Sequence, residues 1–518
     1  MFSISLFVGS DTRFVVQYIH MMRTADVSTT DLTQATEQLW KILAPAISYL
    51  SESDQEIIEL AFYQMAEAHG EQRRKSGEFY IIHPVEACLT LADIKLDRDT
   101  LAATLMHDVP EDTEVSLRKL SKTFNREIIF LISGITKLSV IKYKGEDRYA
   151  ENLRRMFVAM SKDLRVVFIK LADRLHNLRT LKNLPAEKAK RIALESLEIY
   201  APIAERLGMG MFKDEIENIC FPYVYPDEYK QLISLSTVEY QKREKQAGQI
   251  IKKTTKILDE EGIPYIALYG RAKKYYSLFK KMREKKSLDK IYDLVALRVI
   301  TESVEDCYNV LAALHNYFIP VEGRVKDYID QPKENGYQSI HSTLIDPTSK
   351  IVFEFQIRTE AMHEYAEYGV AAHWSHKQKA KFEEFTFLNP DRLKWIKELV
   401  DLGKEKLSEE EYLKYVKLDL FQDQIFVMTP KGDAISLPQG GTPLDFAYRI
   451  HQDIGRHATM AKVNGQPVKL SYELSNGDEV EIITDKKQKP NRDWLKIVKS
   501  VSTARAIRHD LRKQGIKV

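Results

Sequence analysis

Cysteine is scarce: Cys88, Cys220 and Cys307 are the only three in 518 residues, and they lie far apart. This excludes a disulfide framework and a CxxC metal pair, and it fits a reducing cytoplasm. Long apolar runs are missing too, and no stretch approaches the ~18 residues of a membrane helix. The opening MFSISLFVGSDTR has a short apolar stretch and no basic region before it, so it does not read as a secretory leader. Met21 and Met22 are candidate starts, and residues 1–30 are expected to be a disordered extension. Neither sign of charge is in excess: 77 Lys and Arg face 75 Asp and Glu, a net +2. That excludes a uniformly basic nucleic-acid binder but leaves room for a local patch. Repeats and low-complexity tracts are absent.

What remains is ordinary for globular protein, with 44% hydrophobic and 29% charged residues. At ~100–200 residues per domain the chain holds three or four domains. Residues 31–225 read as helical, and FPYVYP (221–226) punctuates their end. A mixed α/β region follows at 226–372. Within it IYDLVALRVI (291–300) reads as a buried strand, and IVFEFQIRT (351–359) alternates. Ile351, Phe353, Phe355 and Ile357 face one way; Glu354, Gln356 and Arg358 face the other and are expected to line a cleft. Residues 373–418 look like charged linker helices. A compact β-rich segment with TPKGD, PQGGTP, VNGQP and SNGD turns covers 419–485. The stretch 486–518 is basic: from Asp485 onward there are eleven Lys or Arg against three Asp.

The first chemical constellation is His83, His107-Asp108 and Asp173. Two imidazoles and two carboxylates can hold one divalent ion and leave positions open for water and phosphate. Glu111 follows His107 by four residues and Asp112 follows Asp108 by four. On a helix both would overhang the ion, placed to orient or deprotonate the attacking water. Pro110 within that helix would kink it. Downstream, LADRLHNLRT sets Leu171, Leu175 and Leu178 on an apolar stripe beside a polar one of Asp173, Asn177 and Thr180.

The second constellation is cationic. YGRAKKYYSLFKKM clusters Arg271, Lys273, Lys274, Lys280 and Lys281 among aromatics, and RVKDYIDQPKENGYQSIH adds Arg324, Lys326 and Lys333. Asp293 and Glu354 stand on the strands. Cations neutralise a triphosphate and carboxylates hold Mg²⁺, a combination suited to ATP. Tyr337 could stack on a purine. A Lys/Arg-rich helix is by itself usually a solvated face, but an acidic residue inside an apolar strand is costly unless it has a task.

These segments resemble the RelA/SpoT family, over about residues 45–515. The resemblance implies a multidomain α+β chain: an all-α HD-type hydrolase domain, an α/β nucleotidyltransferase-like synthetase domain and a β-grasp TGS domain. It implies that His83, His107, Asp108 and Asp173 bind Mn²⁺ and that Glu111 and Asp112 are catalytic. Arg74, Lys75, Asn177 and Thr180 would grip the guanine nucleotide. In the synthetase domain it makes Asp293 the Mg²⁺ ligand and Glu354 the base that activates a 3′-hydroxyl. Tyr337 would stack on guanine beside His341. Arg271, Lys273, Ser277, Lys281, Arg324, Lys326 and Lys333 would bind phosphates. The implied chemistry is transfer of pyrophosphate from ATP to the 3′-hydroxyl of GDP or GTP, giving (p)ppGpp, and hydrolysis of (p)ppGpp to GDP or GTP and pyrophosphate. RVKD (324–327) is the basic form of a motif that goes with bifunctional members. Ala272 and Lys274 stand where Pro and His are usual in the family, and Pro110 where it more often has a β-branched residue.

Residues 419–485 resemble a TGS domain, which in this family meets the CCA end of uncharged tRNA on the ribosome. Arg456-His457-Ala458-Thr459 replaces the family's usual turn there. The basic stretch looks like the opening of a further helical domain, and the modules of longer members are not in the sequence. Three rivals remain. A tRNA nucleotidyltransferase carrying an HD domain needs a DxD motif, and none occurs between 262 and 372. A ribosome- or tRNA-binding module with dead sites would not need both carboxylate sets. A chain retaining one activity, hydrolysis above all, is the third.

Overall fold

The computed structural model describes residues 31–139, 146–285, 294–333, 335–372, 394–404, 408–421 and 424–516. The expected extension 1–30, Asp293 and residues 373–393 of the linker lie outside these. Contacts divide the chain into two compact units, Met1–Ile141 with Val158–Leu393, and Lys142–Phe157 with Lys394–Val518.

The first unit begins as a helical array. Side-chain caps start its helices: Ser51 accepts from the Asp54 N–H before Glu52–His69, and Asp97 from that of Thr100 before Arg98–Met106. Leu171, Leu175 and Leu178 of helix Arg165–Arg179 are buried, as the leucine stripe requires. The continuous helix expected through 107–112 is broken. Arg98–Met106 ends before His107, and a short helix Val109–Asp112 restarts after Asp108. Pro110 therefore sits in a first turn, where its missing N–H costs nothing, and the kink falls just before it.

The chain then forms a five-stranded sheet in the order β1-β2-β5-β4-β3. The strands are β1 (Ala267–Ala272), β2 (Val295–Thr301), β3 (Ile319–Asp327), β4 (Ile340–Ile345) and β5 (Val352–Thr359). Only β2 and β5 pair in parallel. Phe353, Phe355 and Ile357 of β5 join Leu297, Val299 and Leu344 in a core under the helices Pro226–Glu260 and Val304–Tyr317. The opposite face is polar. Register sets Tyr269, Arg298, Gln356, His341 and Lys326 in one row across all five strands.

Helical array and sheet meet along a seam of backbone. Gly208 and Gly369 both have positive φ, and a Cβ on Gly369 would strike the Leu207 carbonyl. The Val370 N–H donates to that same carbonyl (2.9 Å), and the Asn335 amide donates to the Glu205 carbonyl (3.0 Å).

In the second unit β6 (Gln424–Met428) pairs with β7 (Ala434–Pro438), and β10 (Val480–Thr484), β8 (Ala458–Val463) and β9 (Gln466–Val468) form a second sheet. A capping box between Thr442 and Asp445 starts helix Pro443–Ile450. Asp445 also accepts from the N–H groups of Lys499 (3.0 Å) and Ser500 (2.9 Å), which fastens the basic stretch to this core. Trp494, Ile507 and Leu511 pack there with Leu444 and Tyr448. Helices Lys394–Gly403 and Glu409–Phe421 hold the segment that ends at Phe157: Arg154 forks onto Glu409 (both 2.9 Å) and covers the Tyr412 ring.

Candidate functional site

The helical array brings His83, His107, Asp108 and Asp173 together. His83 sits in the first turn of helix Ile82–Asp93, His107 and Asp108 in the break described above, and Asp173 midway along Arg165–Arg179. Their donor atoms lie at the spacing of neighbouring ligands on one ion, roughly 3 Å for bonds of ~2.1 Å. His83 Nε2 is 3.4 Å from Asp108 Oδ2 and 3.3 Å from Asp173 Oδ1, and His107 Nε2 is 3.1 Å from Asp108 Oδ1. His83, His107 and Asp108 alone already make a group able to hold a metal ion.

The hydrogen bonds behind these residues fix which nitrogen carries a lone pair. His107 Nδ1 lies 2.6 Å from the Thr104 carbonyl, which can only accept, so Nδ1 bears the proton and Nε2 faces the site as a ligand. His83 Nδ1 lies 2.7 Å from Nδ1 of His176. Arg74, which can only donate, points Nη1 at that same His176 nitrogen from 2.9 Å. His176 Nδ1 is therefore the acceptor, His83 Nδ1 the donor, and His83 Nε2 is free to bind an ion. The other nitrogen of His176 faces Glu86 Oε2 at 3.2 Å. Two imidazole nitrogens and two carboxylates thus converge with the correct tautomers, and the set fits a divalent transition metal.

Electrostatics agree. Burial opposes charge on both aspartates, but His107 and His83 hold Asp108 well below its ordinary range, and Lys170 and His83 do the same for Asp173. Lys170 binds the outer oxygen of Asp173 at 2.7 Å. Burial likewise opposes protonation of His107, yet Asp108 and Asp173 raise it to about 9, so a cation in the pocket and a proton on His107 compete.

Asn177 donates to Asp173 (2.5 Å) and accepts from Arg74, so one of the expected nucleotide-gripping residues touches the metal group itself and a second touches it through that one. Thr180 is half-exposed at the C-terminal end of its helix and donates its hydroxyl proton to the carbonyls of His176 and Asn177. Lys75 is exposed in the turn 73–79. Asp112 is exposed and Glu111 half-buried. Tyr80 bridges Asp112 (2.6 Å) to Asp108 (2.8 Å) through its hydroxyl.

Sequence reasoning missed Tyr80, Glu86 and His176. Each carried a signal, since Tyr80 and Glu86 flank His83 by three residues, and His176 follows Asp173 by three.

On the sheet, Glu354 and His341 share the polar face, with His341 Nδ1 3.3 Å from the carboxylate. The other nitrogen of His341 meets the Tyr337 hydroxyl at 2.9 Å, and the Lys333 ammonium lies over the Tyr337 ring at 5.1 Å. Burial works against ionisation of Tyr337, but His341 and Arg358 outweigh it and bring the phenol to about 8. Lys326 lies in the cross-strand row on exposed β3, with Arg324 also exposed. Lys273, Ser277 and Lys281 lie half-buried just after β1 and on helix Tyr275–Lys285. Asp293 is outside the described residues.

Arg358 does not line an open cleft. It is fully buried, and with Arg298 and Arg271 it surrounds Glu367, at 3.4, 3.0 and 3.8 Å. Burial and Arg298 lower Arg358 to about 10, and the three guanidiniums overcome burial to keep Glu367 ionised. Arg271 also binds Asp214 (2.7 Å), and Lys280 binds Glu217 (2.7 Å). Both carboxylates belong to Gly210–Val224, a helix of the array whose Glu215 holds Arg179 (2.7 Å). Arg298, Glu367, Asp214 and Glu217 were not expected. Arg298 had a signal in the sequence, as a lone charge in a buried strand.

Such a fold and site define a class: a helical metal-binding domain of HD type, joined to a sheet domain with a cationic polar face and followed by a small β-rich module. Family models match in that order: HD domain at 61–210, region found in RelA / SpoT proteins at 270–381, and TGS domain at 425–484. The chain belongs to the RelA/SpoT family. It is 44% identical over 451 residues to a probable guanosine-3′,5′-bis(diphosphate) 3′-pyrophosphohydrolase of Synechocystis, covering 86% of this chain and 59% of the relative. It is 42% identical over 461 residues to the bifunctional (p)ppGpp synthase/hydrolase SpoT of Escherichia coli K12, covering 89% and 65%. The chain thus spans about three fifths of the length of these relatives. Among solved structures, small alarmone synthetase 1 of Bacillus subtilis bound to pppGpp matches with 24% identity and a TM-score of 0.24, over 33% of this chain and 94% of that one.

Proposed function

We propose that this chain both makes and removes (p)ppGpp, at two sites, in the cytoplasm. One observation carries the hydrolytic half: the lone-pair nitrogens of His83 and His107 converge with Asp108 and Asp173. Mn²⁺ is the ion inferred there, and it supplies Lewis-acid activation of water and phosphate. Arg74 and Lys75 take the nucleotide. Glu111 and Asp112 receive the proton of the attacking water. The Tyr80 hydroxyl has one proton for two carboxylates, and it goes to Asp112 when Asp108 is engaged elsewhere. The 3′-diphosphate leaves as pyrophosphate.

For synthesis, Glu354 takes the proton of the 3′-hydroxyl of GDP or GTP, and His341 orients that carboxylate. Tyr337 stacks on the base, and Asp293 is the inferred Mg²⁺ ligand. Three guanidiniums around one carboxylate leave an excess of buried positive charge, which suits a polyanion such as ATP. The TGS-like segment is inferred to meet ribosomes carrying uncharged tRNA.

A hydrolysis-dominant chain is the second reading. Arg271 and Lys280, two cations of the synthetic site, are held by Asp214 and Glu217. The test is incubation with ATP and GDP in Mg²⁺, and with guanosine tetraphosphate in Mn²⁺, nucleotides being resolved by chromatography. Both conversions are expected, with hydrolysis the faster. No turnover in either direction would refute the proposal.

A further inference from the structure

The hydrolytic centre has an outer layer with an unusual sharing of one nitrogen. His176 is buried, and its Nδ1 offers a single in-plane lone pair. Two donors aim at it, His83 Nδ1 at 2.7 Å and Arg74 Nη1 at 2.9 Å. Glu86 holds the far side of the ring at 3.2 Å, so His176 cannot turn away without breaking that contact. A strong hydrogen bond at Nδ1 of an imidazole orients the ring and makes its Nε2 a better ligand. Whatever share of the lone pair Arg74 takes, His83 loses.

We propose that His176 is a positioning residue that sets the metal affinity of His83, and that Arg74 weakens this site by sharing its acceptor until a nucleotide draws the guanidinium away. Nucleotide binding then tightens the ion, and by reciprocity a bound ion favours release of Arg74 toward the nucleotide. Asn177 extends the arrangement, because the other arm of Arg74 donates to it and it donates to Asp173. Arg74 therefore reaches two metal-binding side chains, each through one intermediary. The inference rests on the hydrolase reading of this site, but it concerns affinity and not turnover.

The test is calorimetric titration of the full chain with Mn²⁺, without nucleotide. His176→Leu removes the acceptor and is expected to weaken binding 10- to 100-fold, the usual span for such outer-layer changes. His176→Asn returns an acceptor oxygen near the place of Nδ1 and should recover most of the loss. Arg74→Met should tighten binding severalfold in the native background and much less beside His176→Leu, a coupling that a double-mutant cycle reads directly. Thermal unfolding and synthesis at the separate site report whether each variant is folded. The proposal is overturned if His176→Leu binds Mn²⁺ like the native chain, or if His176→Asn is as weak as His176→Leu. It is also overturned if Arg74→Met acts equally in both backgrounds, which would leave charge alone as the cause. Absence of Mn²⁺ binding by the native chain would instead sink the hydrolase reading itself.

Discussion

The two polar centres are built on opposite plans. In the helical array every ligand is braced from behind: Thr104 behind His107, His176 behind His83, Tyr80 behind Asp108, Lys170 and Asn177 behind Asp173. The donors face inward, and His107 gives up its second proton as an ion enters. In the sheet domain three cations are turned toward carboxylates of the protein: Arg298 toward Glu367, Arg271 toward Asp214 and Lys280 toward Glu217. A substrate that draws on Arg271 or Lys280 must displace an ion pair before it gains one. The first centre is organised for its ligand in advance, whereas the second is occupied by its own chain, and that difference predicts which reaction runs at rest.

The largest effects should come from removing a ligand or a base, because each centre uses its own residues. Asp108→Ala should lower hydrolysis by about a thousandfold or more and leave synthesis intact. Unchanged hydrolysis in that variant would break the metal assignment. Glu354→Gln should cost synthesis roughly 10²- to 10⁴-fold, the range of a lost general base, with hydrolysis unaffected. Wild-type synthesis rates with Gln at 354 would remove Glu354 from that role.

A pH series sharpens the comparison further. Tyr337 ionises near 8, below the ordinary phenol value of about 10. As pH rises through 8 the phenol becomes an anion facing the nucleotide, so the KM for GDP in synthesis should climb by about tenfold toward pH 9.5. Tyr337→Phe should bind GDP more weakly at pH 7 yet show no such limb. A limb that persists in the Phe variant would assign the titration to another group.

The smallest effect tests the self-occupied plan itself. Asp214→Asn frees Arg271 from a partly exposed ion pair worth at most about 1 kcal/mol, so the KM for ATP should fall roughly two- to fivefold. Initial-rate measurements decide it. A KM that stays put or rises means that Asp214 does not compete with substrate.

Much of this was legible in the sequence, for identifiable reasons. Adjacent residues and helical spacings carry His107-Asp108 and Asp173-Asn177, and strict alternation carries the two faces of 351–359. What escaped depends on juxtaposition through space. His176 meets Arg74 across 102 positions, and Asp214 meets Arg271 across 57. The break at His107 was hidden because Pro110 could be read as a kink within one helix, when it is the start of another. Arg358 alternates correctly with its neighbours, but period alone does not say whether the polar face of a strand meets water or buried charge.

The seam at Gly208 and Gly369 restricts how this molecule can be rebuilt. Where two domains meet through side chains, one partner can be exchanged and the contact repacked by mutation elsewhere. At Gly369 the backbones themselves touch, and the smallest addition, a single methyl, has nowhere to go. A chimaera joined near residue 225 would inherit residue 208 from one parent and residue 369 from the other. It would assemble only if the second parent supplies glycine at 369, and most readily if the first supplies glycine at 208, where φ is positive.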